Sequence, residues 1–248
     1  MNRKPHLDVE QSRRGFARTA GTAGLVMLGG LWVPTLAAEH KQQKSKTNGT
    51  APDEAEESVT PPEDLMREHG VLDRVLLIYE AAMRKFDAKE DFDPAVITQS
   101  AQVIHDFIEN YHEKSEEQHV FPRFEKANQM LDLVSVLLLQ HQAGRRVTAM
   151  ILQLAPDSRR DDDKRRELIT SMRSFITMYR PHAAREDTDL FPKLQKVVSR
   201  NEYEAMAEDF ENEEHRLFGE DGFEKMADRV ASLEQMIGIH DLAKFTPS

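Results

Sequence analysis

The sequence predicts an all-α fold: an up-down-up-down four-helix bundle with additional C-terminal helices. Three observations predict it. Apolar residues recur at three- and four-residue intervals in four long stretches between residues 61 and 195. No segment alternates with sustained period two, so there is no signal for a sheet. The breaks between the four stretches are short, which suits antiparallel neighbours. Eleven Met against four Tyr and one Trp fit helices better than strands.

The chain does not enter this fold at once. Residues 1–38 carry Ser12-Arg13-Arg14-Gly15-Phe16, then a weakly apolar run from Thr19 to Val33, then small residues at Ala37-Ala38. The run is short and interrupted by Gly21, Gly24, Gly29 and Gly30, a poor match to the roughly 20 apolar residues of a membrane span. The segment resembles a twin-arginine (Tat) signal peptide, which implies the Tat export machinery as a partner, a periplasmic or otherwise exported location, and no stable membrane span after cleavage. Residues 39–60 are polar and bury too little to offset their ordering entropy, so they read as a flexible linker.

The bundle, residues 61–195, opens on a capping box. Thr60 caps, Pro61 suits the first helical position and Glu63 reaches back. The first helix runs to about Phe86 with Leu65, Leu72, Leu76, Tyr79 and Met83 on one stripe. The second begins at Asp93-Pro94, carries Ile97, Ile104, Ile108 and Tyr111, and ends near Phe121-Pro122. The third carries Leu131, Val134, Leu138 and Leu152 and stops before Pro156. The fourth starts after the acidic run Asp161-Asp162-Asp163, which suits a helix N-terminus. It carries Leu168, Met172, Phe175 and Tyr179, with a kink expected at Pro181, and stops near Phe191-Pro192. Residues 196–248 form a C-terminal helical extension with helices over about 201–218 and 223–237.

Composition removes several function classes. Without cysteine there is no disulfide, thiolate or iron–sulfur chemistry, so any metal must be held by His and carboxylate. The first 38 residues carry +3 of the chain's net −11, which leaves −14 on the rest. Such an acidic body repels nucleic acid and anionic lipid. No nucleotide-binding loop or nucleophile elbow is present.

The chemistry lies in a repeat. His-x3-Glu-x4-Phe-Pro occurs at His112, Glu116, Phe121, Pro122 and again, seventy residues on, at His182, Glu186, Phe191, Pro192. A lone His precedes each copy: His69 on the stripe of the first helix, His141 on that of the third. Residues i and i+4 share a helix face roughly 6 Å apart along the axis, so each pair sends an imidazole and a carboxylate to one point. By phase all six side chains face inward. Two buried carboxylates without counter-charges would cost several kcal/mol each, on the order of the penalty for any unpaired buried charge. Two divalent cations resolve this, and imidazole with carboxylate suits iron, manganese or zinc.

At this point residues 62–195 resemble the hemerythrin-like (HHE cation-binding) family. The likeness rests on Glu68-His69, on His112 to Glu117 running into Val120-Phe121-Pro122, on His141 with Gly144-Arg145, and on His182 to Glu186 running into Leu190-Phe191-Pro192. The resemblance implies a non-haem di-iron centre, in which His69 and His112 serve one iron, His141 and His182 the other, and Glu116 and Glu186 bridge. It implies a dioxygen, nitric oxide or peroxide ligand, with a redox partner that the sequence does not identify. Oxygen-carrying members place a further His four residues after the third-helix His; here that position is Arg145, so each metal has more room, and Arg145 either points elsewhere or offers a cation to a bound anion. Three functions follow as alternatives: a binding protein for sensing, storage or scavenging, an oxidoreductase turning over peroxide or oxygen, and an interaction module around a structural metal.

Other residues fit the chemistry less well. His105 and His119 share the His112 face but lie about 10 Å away along the helix, too far to ligate. His215 lies in a charged run and reads as a solvated residue. Tyr111 and Tyr179 read as core packing, with a hydrogen bond to a metal-bound oxygen as the sharper alternative. Ferritin-like bundles use Glu-x-x-His, and neither His/Glu pair here has that order.

Overall fold

The computed structural model describes residues 59–247. The twin-arginine segment and nearly all of the linker lie outside them. Every regular element among the described residues is helical. We number six helices. α1 is Pro61–Ala88. α2 covers 95–126 without a break, as successive α and π segments. α3 is Leu131–Leu154, closed by a 3-10 turn at Ala155–Asp157. α4 begins as Asp162–Arg185 and continues through a π turn, a 3-10 turn and a last α turn to residue 197. α5 is Arg200–Phe218 and α6 is Gly222–Ile237.

Short connections hold α1 to α4 in alternating directions. His69 in the first part of α1, and His112, His141 and His182 near the middles of α2, α3 and α4, reach one level of the bundle. The capping box at Thr60 and Glu63 forms as the sequence indicates. At α4 the side chain of Asp161 accepts from the backbone N–H groups of Asp163 and Lys164, which leaves Asp162 and Asp163 in the first turn.

Several boundaries differ from expectation. Pro94, not Asp93, occupies the α2 N-cap, while the Asp93 carboxylate accepts from Ala95 N–H at 2.9 Å. Neither Phe-Pro pair ends its helix. Instead each follows a π turn, Glu116–Val120 or Glu186–Leu190, in which the Phe N–H reaches five residues back to the Glu carbonyl. A proline lacks its own N–H and crowds the carbonyl four residues earlier, and the wider turn accommodates both. Pro181 is exposed and lies inside an unbroken α segment of α4. The buried face of α3 is Val134, Leu137, His141, Gly144, Thr148 and Ile151, whereas Leu131 is 43% exposed and Leu138 and Leu152 are only half-buried. That face includes His, Gly and Thr, so an apolar count drifts to its flank.

The core has two apolar layers with a polar layer between them. One apolar layer gathers Leu65, Phe121, Phe124, Val134, Leu137, Leu190, Phe191 and Leu194, and α5 seals it with Met206 and Phe210. The other gathers Leu72, Leu76, Ile104, Phe107, Ile151, Met172 and Phe175, and α6 packs Val230, Leu233 and Ile237 into it. The C-terminal helices thus share the bundle's core. No described helix is long and apolar enough to cross a membrane.

Leu233 is 1% exposed in this shared core. Leu233→Ala should destabilise the protein by about 2–5 kcal/mol, the range for a buried Leu truncation. A denaturant melt checks this; an unchanged midpoint would show that α6 is dispensable.

Candidate metal centre

The polar layer between the apolar layers consists of His69, His112, Glu116, His141, His182 and Glu186, all buried. The chain brings all six together. Glu116, His141, His182 and Glu186 offer ligand atoms within 4.8 Å of one another, as do His69, His112 and Glu116. The imidazoles pair across the layer: the His69 and His112 rings are 4.6 Å apart, and those of His141 and His182 are 5.0 Å apart. Each carboxylate lies between the pairs. Glu186 Oε2 is 3.4 Å from His69 Nε2 and 3.1 Å from His182 Nε2. Glu116 Oε2 is 3.3 Å from His141 Nε2 and 3.7 Å from His112 Nε2.

All four Nε2 atoms point inward because all four Nδ1 atoms are engaged on the outside. His69 Nδ1 meets Asp187 at 2.8 Å and His112 Nδ1 meets Glu68 at 2.6 Å. His141 Nδ1 meets Glu117 at 3.2 Å and His182 Nδ1 meets Gln140 at 2.9 Å. An Nδ1–H donating to such an acceptor fixes the tautomer that leaves the Nε2 lone pair free for a cation. The rings are also clamped by stacking: Phe191 on His69 with centroids 5.7 Å apart, Phe121 on His141 at 5.5 Å.

These supports obey the repeat. The first repeat's lone His69 is held by Asp187 and Phe191 of the second, and His141 by Glu117 and Phe121 of the first. The acceptors were legible in principle. Glu68 and Gln140 each stand one residue before the lone His, and Glu117 and Asp187 each stand one residue after the shared Glu. Their own residue types do not mark them, since Glu, Gln and Asp at such positions are equally common on solvated helix faces.

The electrostatics calls for positive charge. Neither oxygen of Glu116 or of Glu186 has a hydrogen-bond partner, nor does His141 Nε2. Buried polar atoms without partners are rare, and a cluster of five aimed at one point fits a bound cation. Burial drives the Glu116 carboxyl well above the ordinary range, and the negative charge of Glu186 drives it further. Burial acts the same way on Glu186, but His182 and His69 outweigh it and hold that carboxyl below the ordinary range. Burial lowers His141 to about 4 and His112 well below its usual value, which keeps both imidazoles neutral, as a metal ligand must be. For His69, burial is outweighed by Asp187 and Glu186, and its value rises to about 9. Without cations, protons must take the place of positive charge in this layer.

Arg145 does not face the cluster. Its guanidinium is 2.7 Å from both Glu113 Oε2 and Glu117 Oε1, and so it steadies the carboxylate behind His141 rather than an anion at the metals. Tyr179 donates to Glu113 at 2.5 Å and lies in a hollow that exists because residue 144 is Gly: a Cβ there would fall 1.9 Å from the Tyr179 hydroxyl oxygen. Tyr111 donates to the Phe210 carbonyl at 3.4 Å, which ties α2 to α5. His105 and His215 are exposed, and His119 turns to Asp209 at 3.4 Å, so none of the three joins the layer.

A model of the hemerythrin HHE cation-binding domain matches residues 60–194, and a second alignment covers 132–238. The chain belongs to the hemerythrin HHE cation-binding family. The second alignment of this hemerythrin domain starts at α3, as a chain built from two similar hairpins allows. Uncharacterized proteins from two strains of Mycobacterium tuberculosis and from Mycobacterium bovis are each 48% identical over 196 residues, covering 79% of this chain and 77% of theirs. No solved structure matches. A His/Glu cluster able to hold metal, in a helical member of a cation-binding family, makes this a metal-binding bundle.

Glu116→Ala and His182→Ala should each sharply reduce the metal bound by purified protein, while His119→Ala should not. Metal analysis of the three variants checks the assignment; equal loss in all three would overturn it.

Proposed function

We propose that the protein is an exported, non-haem di-iron hemerythrin-like protein that binds dioxygen, nitric oxide or peroxide for sensing, storage or scavenging. The observation that carries this reading is the convergence of four Nε2 atoms on two carboxylates that lack any other partner. His69 and His112 would hold one iron and His141 and His182 the other, with Glu116 and Glu186 shared between them. Two His-rich half-sites suit iron, with manganese and zinc as the competing ions. Iron, when bound, supplies reversible coordination of small oxygen and nitrogen species together with redox change. The chain's own part is to fix the imidazole tautomers, to hold the carboxylates ready and to exclude bulk water between two apolar layers.

The twin-arginine segment supports export to the periplasm through the Tat machinery, a route for folded cargo. A redox partner would be needed to reset the irons, and the acidic body favours a partner with a basic face.

One observation favours a second reading, an oxidoreductase that turns over peroxide or oxygen. Because Arg145 is held by Glu113 and Glu117, α3 offers one imidazole to the layer and each ion would have two. More positions are then left for small oxygen species than a protected carrier needs.

Metal analysis with an optical spectrum, on protein purified from its own periplasm, tests both readings. Two irons per chain and a spectrum that changes with dioxygen and reverts under vacuum are expected of the binding protein. Repeated turnover of peroxide with a reductant would favour the enzyme. A colourless protein holding zinc would overturn both.

A further inference from the structure

The two repeats supply matching ligands but different seams. The pseudo-twofold that relates them pairs the α1/α4 seam with the α3/α2 seam. On the α3/α2 side the approach is closed: Arg145 bridges Glu113 and Glu117 in front of His141. At the matching positions of the α1/α4 side, Asp73 replaces Arg145, Ala183 replaces Glu113 and Asp187 replaces Glu117. No such bridge can form there. Asp73 is 61% exposed and its nearest cation, Arg180, stands 3.8 Å away at the rim, engaged with Glu80 at 2.6 Å.

The result is a crevice of about 340 Å³ along the α1/α4 seam. Gly70, Ala183 and Ala184 are small wall residues, and the buried His69, with Asp187 at its Nδ1, also lines the crevice. Space at Gly70 is real: a Cβ there would meet nothing within 4 Å. The volume is more than ten times the roughly 30 Å³ share of one water molecule, so a small ligand can occupy it without moving a helix. Met66, Leu72 and Leu76 make much of its wall apolar, which suits a small, weakly polar molecule.

The geometry points to this crevice as the port through which small ligands reach the metal layer, on the His69/His112 side, with Ala183 and Gly70 setting the size that passes. The inference rests on the proposed small-ligand function. Ligand exchange then occurs on one side only, although the donors themselves are nearly twofold symmetric.

The test is stopped-flow binding of azide, a small linear anion that coordinates ferric iron, to the iron-loaded protein. Ala183→Leu and Gly70→Leu narrow the port without altering charge. Gln142→Leu stands at the twofold-related position of Gly70, on the closed seam. Azide association should slow about ten-fold or more in the first two variants, a barrier change on the order of 1.4 kcal/mol, with iron content unchanged. Gln142→Leu should bind at the wild-type rate. Should Ala183→Leu fail to fold or to hold iron, Gly70→Leu, whose side chain enters open space, decides alone. Wild-type rates in both narrowing variants would overturn the port while leaving the proposed function intact. An iron-loaded wild-type protein that binds neither azide nor nitric oxide would overturn the proposed function, and the port with it.

Discussion

Two carboxylates, Glu116 and Glu186, sit fully buried where four helices cross, and every other feature of the bundle answers to them. In an apolar interior they would repel each other and both lose hydration, a penalty of several kcal/mol per ion in order of magnitude. The fold does not relieve them with donors of its own, since all four oxygens lack a hydrogen-bond partner. It surrounds them instead with imidazoles whose Nδ1 atoms are engaged outside the layer, so that all four Nε2 atoms face inward. Such an arrangement is unfavourable for an empty core and favourable around cations. The apolar layers on either side make the choice sharper, because they keep out the water that would otherwise screen the charges.

The second organising fact is that each repeat is supported by the other. Asp187 and Phe191 of the second repeat fix His69, while Glu117 and Phe121 of the first fix His141. Neither hairpin could present its lone His correctly alone. Each Phe-Pro pair follows a π turn that starts at the shared Glu, and the Phe that closes that turn stacks on the opposite lone His. A π turn shifts the helix face it follows, and such turns are common at functional sites.

Much of this was legible from spacing. His112/Glu116 and His182/Glu186 are four apart and on apolar faces, so their convergence follows from helix geometry alone. So does the exclusion of His105 and His119, which share the face but not the level. Less was legible where the signal was not apolar. The α3 face runs through His141, Gly144 and Thr148, and hydrophobic periodicity drifts toward Leu138 and Leu152 instead. The fate of Arg145 could not be read from its position, because its partners Glu113 and Glu117 belong to another helix. The Phe-Pro pairs look like helix stops by local propensity, yet the chain runs on through both, since packing of Phe124 and Leu194 into the core outweighs the lost backbone bond.

A layer of this kind couples metal to folding. Protons can stand in for cations, as the raised His69 and Glu116 indicate, but a proton neutralises one group whereas a divalent ion can satisfy several donors at once. Folding in the presence of metal is therefore favoured over folding without it, by an amount that grows with metal affinity. That coupling bears on the export proposed above. Were the chain exported folded, as proposed above, the ion would be set where the chain folds, and once the helices have closed, the metal would leave only by opening the core or by losing its ligands one at a time. Selection of iron over a tighter-binding ion would then depend on where folding happens as much as on the donor set itself.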